Sequence, residues 1–371
     1  MMQVLTGARI FDGARFLDGH ALVIENGVIA AILPEAEAPA QGRRAVAGIL
    51  APGFLDLQVN GGGGLMVDGA TDLAALKHIC AAHRGLGTAG ILPTLITDTA
   101  QATAQVIAAG IAATDAQVPG FLGLHLEGPH LDPRRKGAHD PGLIRPMGDD
   151  DLARLCEAAR RLPALMVTLA PEAATPQQIA ALTGAGAVVS LGHSDCTYDE
   201  AQAALAAGAR CVTHLFNAMS QIGHRAPGLA GAVLSGDAGA GLIADGIHVH
   251  PAVMRLALAA RPAGIFLVSD CMAFAGTALT EMELGGRQVL RRDGRLTLAD
   301  GTLAGADLTL PQAVANLVHA VGIAPERALA MATSVPAALI GLQDSHGALA
   351  PGRRAEIVLL DRDFALRESW L

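Results

Sequence analysis

Residues 187–217 read AVVSLGHSDCTYDEAQAALAAGARCVTHLFN. An apolar run, 187–194, ends on His193. A segment of helical spacing follows, opening after Thr197 and closing at Gly208, as helix ends prefer. A second apolar run, 210–217, carries His214 and Asn217. Strands that are apolar on both faces and alternate with helices belong to a parallel sheet. The same alternation extends outward on both sides. FLDLQVN (54–60), AGILPTLIT (89–97), GFLGLHLE (120–127) and ALMVTLAPE (164–172) precede it, and GLIADGIH (241–248) and GIFLVSD (264–270) follow. Eight such units in a row predict a (β/α)8 barrel of the α/β class.

The ends of the chain have a different period. VLTGARIFDG and ALVIENGVIAAI near the N-terminus, and GRRAEIVLLDR at 352–362, alternate like antiparallel strands. They predict a small β-sandwich domain built from residues 1–50 and 344–371, beside a catalytic barrel over 51–343. The stretch 281–305, with Gly-Gly and Asp-Gly turns, predicts hairpins after the eighth strand.

Composition narrows the function classes. The 371 residues are 51% hydrophobic but only 3% aromatic, so the core is expected to be aliphatic. A net charge of −9 argues against a nucleic-acid partner or a polybasic membrane contact. No apolar run reaches the ~18 residues of a membrane span, and MMQVLTGARIFDG lacks the layout of an export signal. Five scattered cysteines, with no C-x-x-C pair, fit reduced thiols in a cytoplasmic protein.

In a (β/α)8 barrel the chemistry sits where strands end. Here the strand ends carry Gln58 and Asn60, Glu127, His193, His214 with Asn217, Asp245 with His248, and Asp270. One such residue is ordinary, but barrel geometry brings all of them to one pocket. Glu127, His193 and His214 form a carboxylate and two-imidazole set suited to one divalent metal ion, zinc in the first place, with Fe2+, Mn2+ and Co2+ as alternatives. A metal-bound water is a usable nucleophile near neutral pH, and Asp270 is placed to exchange its proton.

LAPGFLDLQVNGGGG, GLHLEGPHLDPRRKGAH, VVSLGHSDC, THLFNAMS, HRAPGLAGA, ADGIHVH, LVSDCMAFAG and DGTLAGADLTL occur in that order along the chain. In this the sequence resembles the N-acetylglucosamine-6-phosphate deacetylases of the amidohydrolase superfamily. The resemblance implies hydrolysis of an acetamide on a phosphorylated amino sugar. It assigns metal binding to Glu127, His193 and His214, the general base and acid to Asp270, and polarisation of the acetyl carbonyl to His139. Substrate contacts would come from Gln58, Asn60, Ala138, His139, Asn217, Ala218, Arg225, Asp245, His248, Leu303, Ala304 and Gly305. Arg225 and His248 are the phosphate contacts it implies. Relatives are homodimers in which the arginine can come from the neighbouring subunit.

Departures from the pattern shape further expectations. Many superfamily members carry His-x-His on strand one; Gln58-Val59-Asn60 stands here and implies a single metal. The four glycines at 61–64 are expected to let backbone approach the sugar. Ala226 stands where relatives often have an acidic residue. The chain stops at Glu368-Ser369-Trp370-Leu371, short of the family's terminal strand, which leaves the small sheet's completeness open. The galactosamine epimer is an alternative substrate. Cyclic-amide hydrolases require His-x-His and a strand-four lysine, and ALMVTLAPE has none. A dead scaffold is argued against by the joint presence of Glu127, His139, His193, His214 and Asp270.

Overall fold

The computed structural model describes residues 2–371. Eight parallel strands stand in chain order: β1 (Phe54–Val59), β2 (Thr88–Ile96), β3 (Leu124–Glu127), β4 (Leu165–Leu169), β5 (Val188–Leu191), β6 (Cys211–Val212), β7 (Gly239–Leu242) and β8 (Ile265–Leu267). A parallel bridge from Val59 to Cys271, just beyond β8, joins the two edges into a barrel. Helices α1 (Leu73–Gly85), α2 (Ala100–Asp115), α3 (Asp149–Arg161), α4 (Pro176–Gly184), α5 (Tyr198–Ala206), α6 (Gly228–Leu234), α7 (Pro251–Ala260) and α8 (Leu310–Asn316) complete the eight units. Their starts follow the sequence. Side chains of Asp72, Thr99, Thr175, Thr197 and Thr309 each accept a first-turn N–H, worth about 1 kcal/mol apiece.

All eight expected strands are present, and all but β2 are shorter than the apolar runs. The reason is local: His193, His214 and Asp270 adopt left-handed backbone, with φ of +47°, +30° and +51°. No side chain prefers that region, so each strand stops before the polar residue it was expected to include. The barrel interior is also less aliphatic than the composition suggested. His125 on β3 meets Thr168 on β4 at 2.7 Å, and Thr213 bridges the hydroxyls of Thr168 and Ser190 at 2.6 and 2.7 Å. All four are buried. Each polar group has a partner, which is what permits a polar layer at the barrel centre.

Two antiparallel-rich sheets form the small β part. One orders Val28–Pro34, His20–Glu25, Met2–Thr6 and Arg43–Ala45; the other orders Leu366–Trp370, Ile357–Leu360, Ile49–Pro52, Arg9–Phe11 and Phe16–Leu17. Leu5, Leu22 and Ile24 of the first pack with Ile10, Leu50, Ile357 and Leu359 of the second, as in a sandwich. The C-terminal residues supply an edge to the second sheet. Leu366–Trp370 is a strand, registered with Trp370 opposite Ile357, and Glu368 takes a bidentate ion pair from Arg44 of the other sheet.

After β8 the chain forms four antiparallel strands, Glu281–Leu284, Arg287–Arg292, Arg295–Leu298 and Leu303–Ala306, as the turns predicted. The last of them docks on the barrel mouth, where the Ala306 N–H donates to the Asp270 carbonyl at 2.8 Å. Among the described residues no helix is long and apolar enough to cross a membrane.

Candidate active site

Strand ends and loops enclose a cavity of about 270 Å³ at the C-terminal face of the barrel. Its wall includes Asn60, Glu127, Ala138, His139, His193, His214, Asn217, Ala218, His248, Asp270 and Leu303 to Gly305, all expected from the sequence. Met66, Ile96, Gly137, Ile243, Met272, Leu284 and Thr302 complete it.

Three ligand atoms meet at its floor. His193 Nε2 and His214 Nε2 lie 3.1 Å apart, and Glu127 Oε1 is 3.2 and 3.1 Å from them. The other nitrogen of each ring faces a backbone carbonyl: His193 Nδ1 that of Arg135 at 2.8 Å, His214 Nδ1 that of Asn217 at 3.1 Å. Only a protonated Nδ1 satisfies those carbonyls, so in the neutral rings both Nε2 atoms present lone pairs. Two lone pairs and a carboxylate oxygen pointed at one spot are mutually repulsive unless a proton or a cation lies between them. The donor set therefore fits a divalent metal ion. Burial alone would raise the Glu127 carboxyl, but the two imidazoles hold it well below the usual range. Burial lowers His214, yet Glu127 outweighs it and leaves that imidazole more basic than usual.

A ring nitrogen of His139 also lies within 4.8 Å of the Glu127 and His193 ligand atoms. Its hydrogen bonds point to a different task. The backbone N–H of Thr97 donates to His139 Nδ1 at 3.2 Å, and the Thr97 hydroxyl lies 2.7 Å from the same atom. An Nδ1 that accepts an N–H carries no proton, so Nε2 carries it. Burial and the nearby His193 push His139 down to about 3, which keeps the ring neutral. In that tautomer His139 offers a hydrogen-bond donor at Nε2 and no lone pair for a metal ion. Thr97 was missed in the sequence, where a threonine closing PTLIT looks like any strand residue. It also explains Gly128: the backbone there is left-handed, φ +85°, and any Cβ would strike the Thr97 hydroxyl. Replacing Thr97 with Val should lower kcat about tenfold with KM unchanged, the cost of one buried hydrogen bond that sets a ring's orientation. A kcat equal to wild type would show that the backbone N–H suffices.

Asp270, which follows β8 at the barrel seam, lines the same cavity. Burial, then the charge of Glu127, raise its carboxyl to about 6. Asn60 Nδ2 donates to its Oδ1 at 2.7 Å. Beneath them lies Asp56, 1% exposed. Its carboxylate accepts the backbone N–H groups of Ser269 at 3.1 Å and Gln58 at 3.2 Å, and burial raises it to about 7. The only signal was one acid inside an apolar strand.

Three expected substrate contacts are not on the cavity wall. Gln58 is spent on Glu127, donating from Nε2 to Oε1 at 3.2 Å. Asp245 stands behind His248: its Oδ2 meets His248 Nδ1 at 2.6 Å, and its Oδ1 accepts the N–H groups of Ile247 and His248. Arg225 lines a neighbouring surface pocket with Asp195, Tyr198 and Gln221. A Cβ on Gly62 or Gly63 would meet His83 or His78 of α1, and one on Gly61 would meet the backbone at Leu65 and Ala273, so packing by itself requires three of the four glycines.

Against known proteins, residues 49–369 match the amidohydrolase family and residues 2–48 the NagA composite domain. The chain belongs to the amidohydrolase family. Among amidohydrolases it is similar along its whole length to the N-acetylgalactosamine-6-phosphate deacetylase of Shewanella sp. (strain ANA-3), at 36% identity, covering 100% of this chain and 95% of that protein. The crystal structure of N-acetylglucosamine-6-phosphate deacetylase from Pasteurella multocida superposes with a TM-score of 0.95 at 34% identity, covering 100% and 98%. An aspartate-to-alanine mutant of the Mycobacterium smegmatis N-acetyl-D-glucosamine-6-phosphate deacetylase, in complex with N-acetyl-D-glucosamine-6-phosphate, gives 0.91 at 32%, covering 100% and 97%.

Proposed function

We propose that this amidohydrolase removes the acetyl group from N-acetyl-D-glucosamine 6-phosphate, giving D-glucosamine 6-phosphate and acetate. The observation that carries the reading is the convergence of three kinds of group in one cavity: the Glu127–His193–His214 set, a neutral His139 with an N–H toward the cavity, and the buried Asp270. Glu127, His193 and His214 would hold one divalent ion, zinc for preference, with Fe2+, Mn2+ or Co2+ suited to the same donors. When bound, such an ion supplies an acidified water and positive charge beside the scissile amide.

The chain's own groups then divide the work. His139 donates its Nε2–H to the acetyl oxygen as negative charge grows there. Asp270 accepts a proton from the attacking water and delivers it to the departing nitrogen. His248, oriented by Asp245, and the loops at Asn217, Ala218 and Leu303 to Gly305 hold the sugar phosphate. Among the described residues the cavity wall has no arginine or lysine, although a phosphate dianion favours one. We assign that contact to Arg225 of a second copy in a homodimer. The five free thiols are consistent with the reducing cytoplasm.

The names of the 36%-identical relatives favour a second reading, the galactosamine epimer. Acetate release from both epimers and from unphosphorylated N-acetylglucosamine, with metal content counted in parallel, separates these. Preference for the glucosamine phosphate supports the first reading; the reverse order installs the second; release from none of the three overturns both. In the same assay Arg225→Ala should raise KM about tenfold or more for phosphorylated sugar only, since a charged hydrogen-bond partner is lost. An unchanged KM, or a monomer by sedimentation, would remove Arg225 from the site.

A further inference from the structure

Asn60 follows β1 on the cavity wall and is 4% exposed. Its backbone is fixed on both sides: the N–H donates to the Cys271 carbonyl at 2.9 Å, and the carbonyl accepts from Val67 N–H at 2.8 Å. Its side-chain Nδ2 donates to Asp270 Oδ1. The other end of the amide, Oδ1, is buried and has no partner among the described residues. Rotating the amide would not relieve this, because it would set Oδ1 against a carboxylate oxygen of Asp270, two acceptors face to face. Buried acceptors are rarely left without a donor, and this one belongs to a residue of the cavity wall that also holds the group that must exchange a proton with the substrate.

We propose that Asn60 Oδ1 accepts the N–H of the substrate's acetamide and holds that nitrogen through its departure. The inference rests on the deacetylase reading. In that reaction the water oxygen bonds to the acetyl carbon and its proton passes to Asp270. The C–N bond then breaks, and the proton moves from Asp270 to the nitrogen, leaving an amine and acetate. The nitrogen must therefore come within hydrogen-bond reach of Asp270, which is also the neighbourhood of Asn60 Oδ1. A secondary amide has one N–H. Holding it on Asn60 turns the nitrogen lone pair, which develops as the acetyl carbon becomes tetrahedral, toward the proton on Asp270. Asn60 thus positions both members of the proton transfer through the two ends of one carboxamide.

The test compares the acetamide with an analogue bearing a 2-O-acetyl ester, which has no N–H, on wild type, Asn60→Leu and Asn60→Ala at matched metal content. Losing the Asn60–Asp270 hydrogen bond should slow both substrates alike. Losing the Oδ1 contact should cost the amide alone a further tenfold to hundredfold, roughly, in kcat/KM. Should wild-type ester turnover be too slow to follow, dissociation constants of both ligands on Asp270→Asn protein replace it, with the same selective loss expected when Asn60→Ala is added. Equal losses for amide and ester, with wild type active, would overturn the Asn60 contact alone. Wild type releasing no acetate from the amide would overturn the deacetylase reading and this inference together. Asn60→Ala is included because it is smaller than the native side chain and remains informative if Leu prevents folding.

Discussion

Asp270→Asn is expected to lower kcat by about a thousandfold or more while binding the same amount of metal. General acid–base groups contribute roughly 10²–10⁴ in rate, and in the proposed reaction this one acts twice, on the water and on the nitrogen. The isosteric amide keeps the contact from Asn60 Nδ2 through its own carbonyl oxygen, so geometry is preserved while proton exchange is lost. Metal content should hold because the three convergent ligand atoms belong to Glu127, His193 and His214. The pH dependence has a definite sign. A base must be ionised to work, so kcat/KM falls as pH drops through the pKa of Asp270. That carboxyl is raised to about 6 by burial and Glu127, and a bound cation pulls it down, so the acid limb lies at or below about 6. A folded-state pKa raised above the unfolded one also means that the ionised carboxyl opposes folding as pH rises through it. The Asn variant, stripped of metal, should therefore melt no lower than stripped wild type near pH 8. Residual turnover close to wild type would assign the proton transfer elsewhere.

Much of this site was legible because its residues break a pattern. Glu127, His193, His214 and Asp270 stand at the ends of strands that are otherwise apolar, and only barrel closure makes such positions neighbours. Residues that keep the pattern were invisible. Thr97, Thr168 and Thr213 are β-branched and look like strand residues, although they orient His139 or fill the barrel with hydroxyls. Residues whose position depends on loop paths are harder to place. Gln58 and Asp245 are adjacent to substrate groups in sequence, yet each is used up on a neighbour, Glu127 and His248. Within the glycine run Gly62 and Gly63 pack on α1 and Gly61 on neighbouring backbone, because sequence shows that a backbone approaches something closely without showing what. The left-handed turns at His193, His214 and Asp270 had no sequence signal at all. Each is a strained backbone, costing on the order of 1–3 kcal/mol, retained where function needs the side chain inside the barrel mouth.

Removing the metal, by chelation or by His214→Asn, should abolish acetate release, and in chelated wild type the accompanying loss of stability should grow with pH. Activity goes because Asp270 and His139 alone supply no acidified water. Loss of one of three donors should weaken metal affinity more than about a hundredfold, beyond the 10–100-fold typical of outer-shell partners. The pH dependence follows from what replaces the ion. In the metal-free chain a proton on His214 can pair with Glu127 across 3.1 Å. His214 is raised in the folded state, so that pairing stabilises the fold fully below its ordinary value of 6.5 and is lost as pH rises through the higher folded value. Glu127 is depressed, so its contribution is present above 4.5 and is lost only as pH falls toward its folded value. Between those limits the proton substitutes for the cation; above them the lone pairs of two imidazoles and a carboxylate face each other with nothing between. Metal at about 1,000 times its Kd adds roughly 4 kcal/mol. The difference in Tm between loaded and stripped protein should therefore be small near pH 5.5 and large near pH 8, because protons compete for the same atoms at the lower value. Calorimetry with and without chelator at the two pH values measures it directly. A difference that stays constant across that range would mean that no proton takes the ion's place, and that the convergence of Glu127, His193 and His214 is held by the barrel alone.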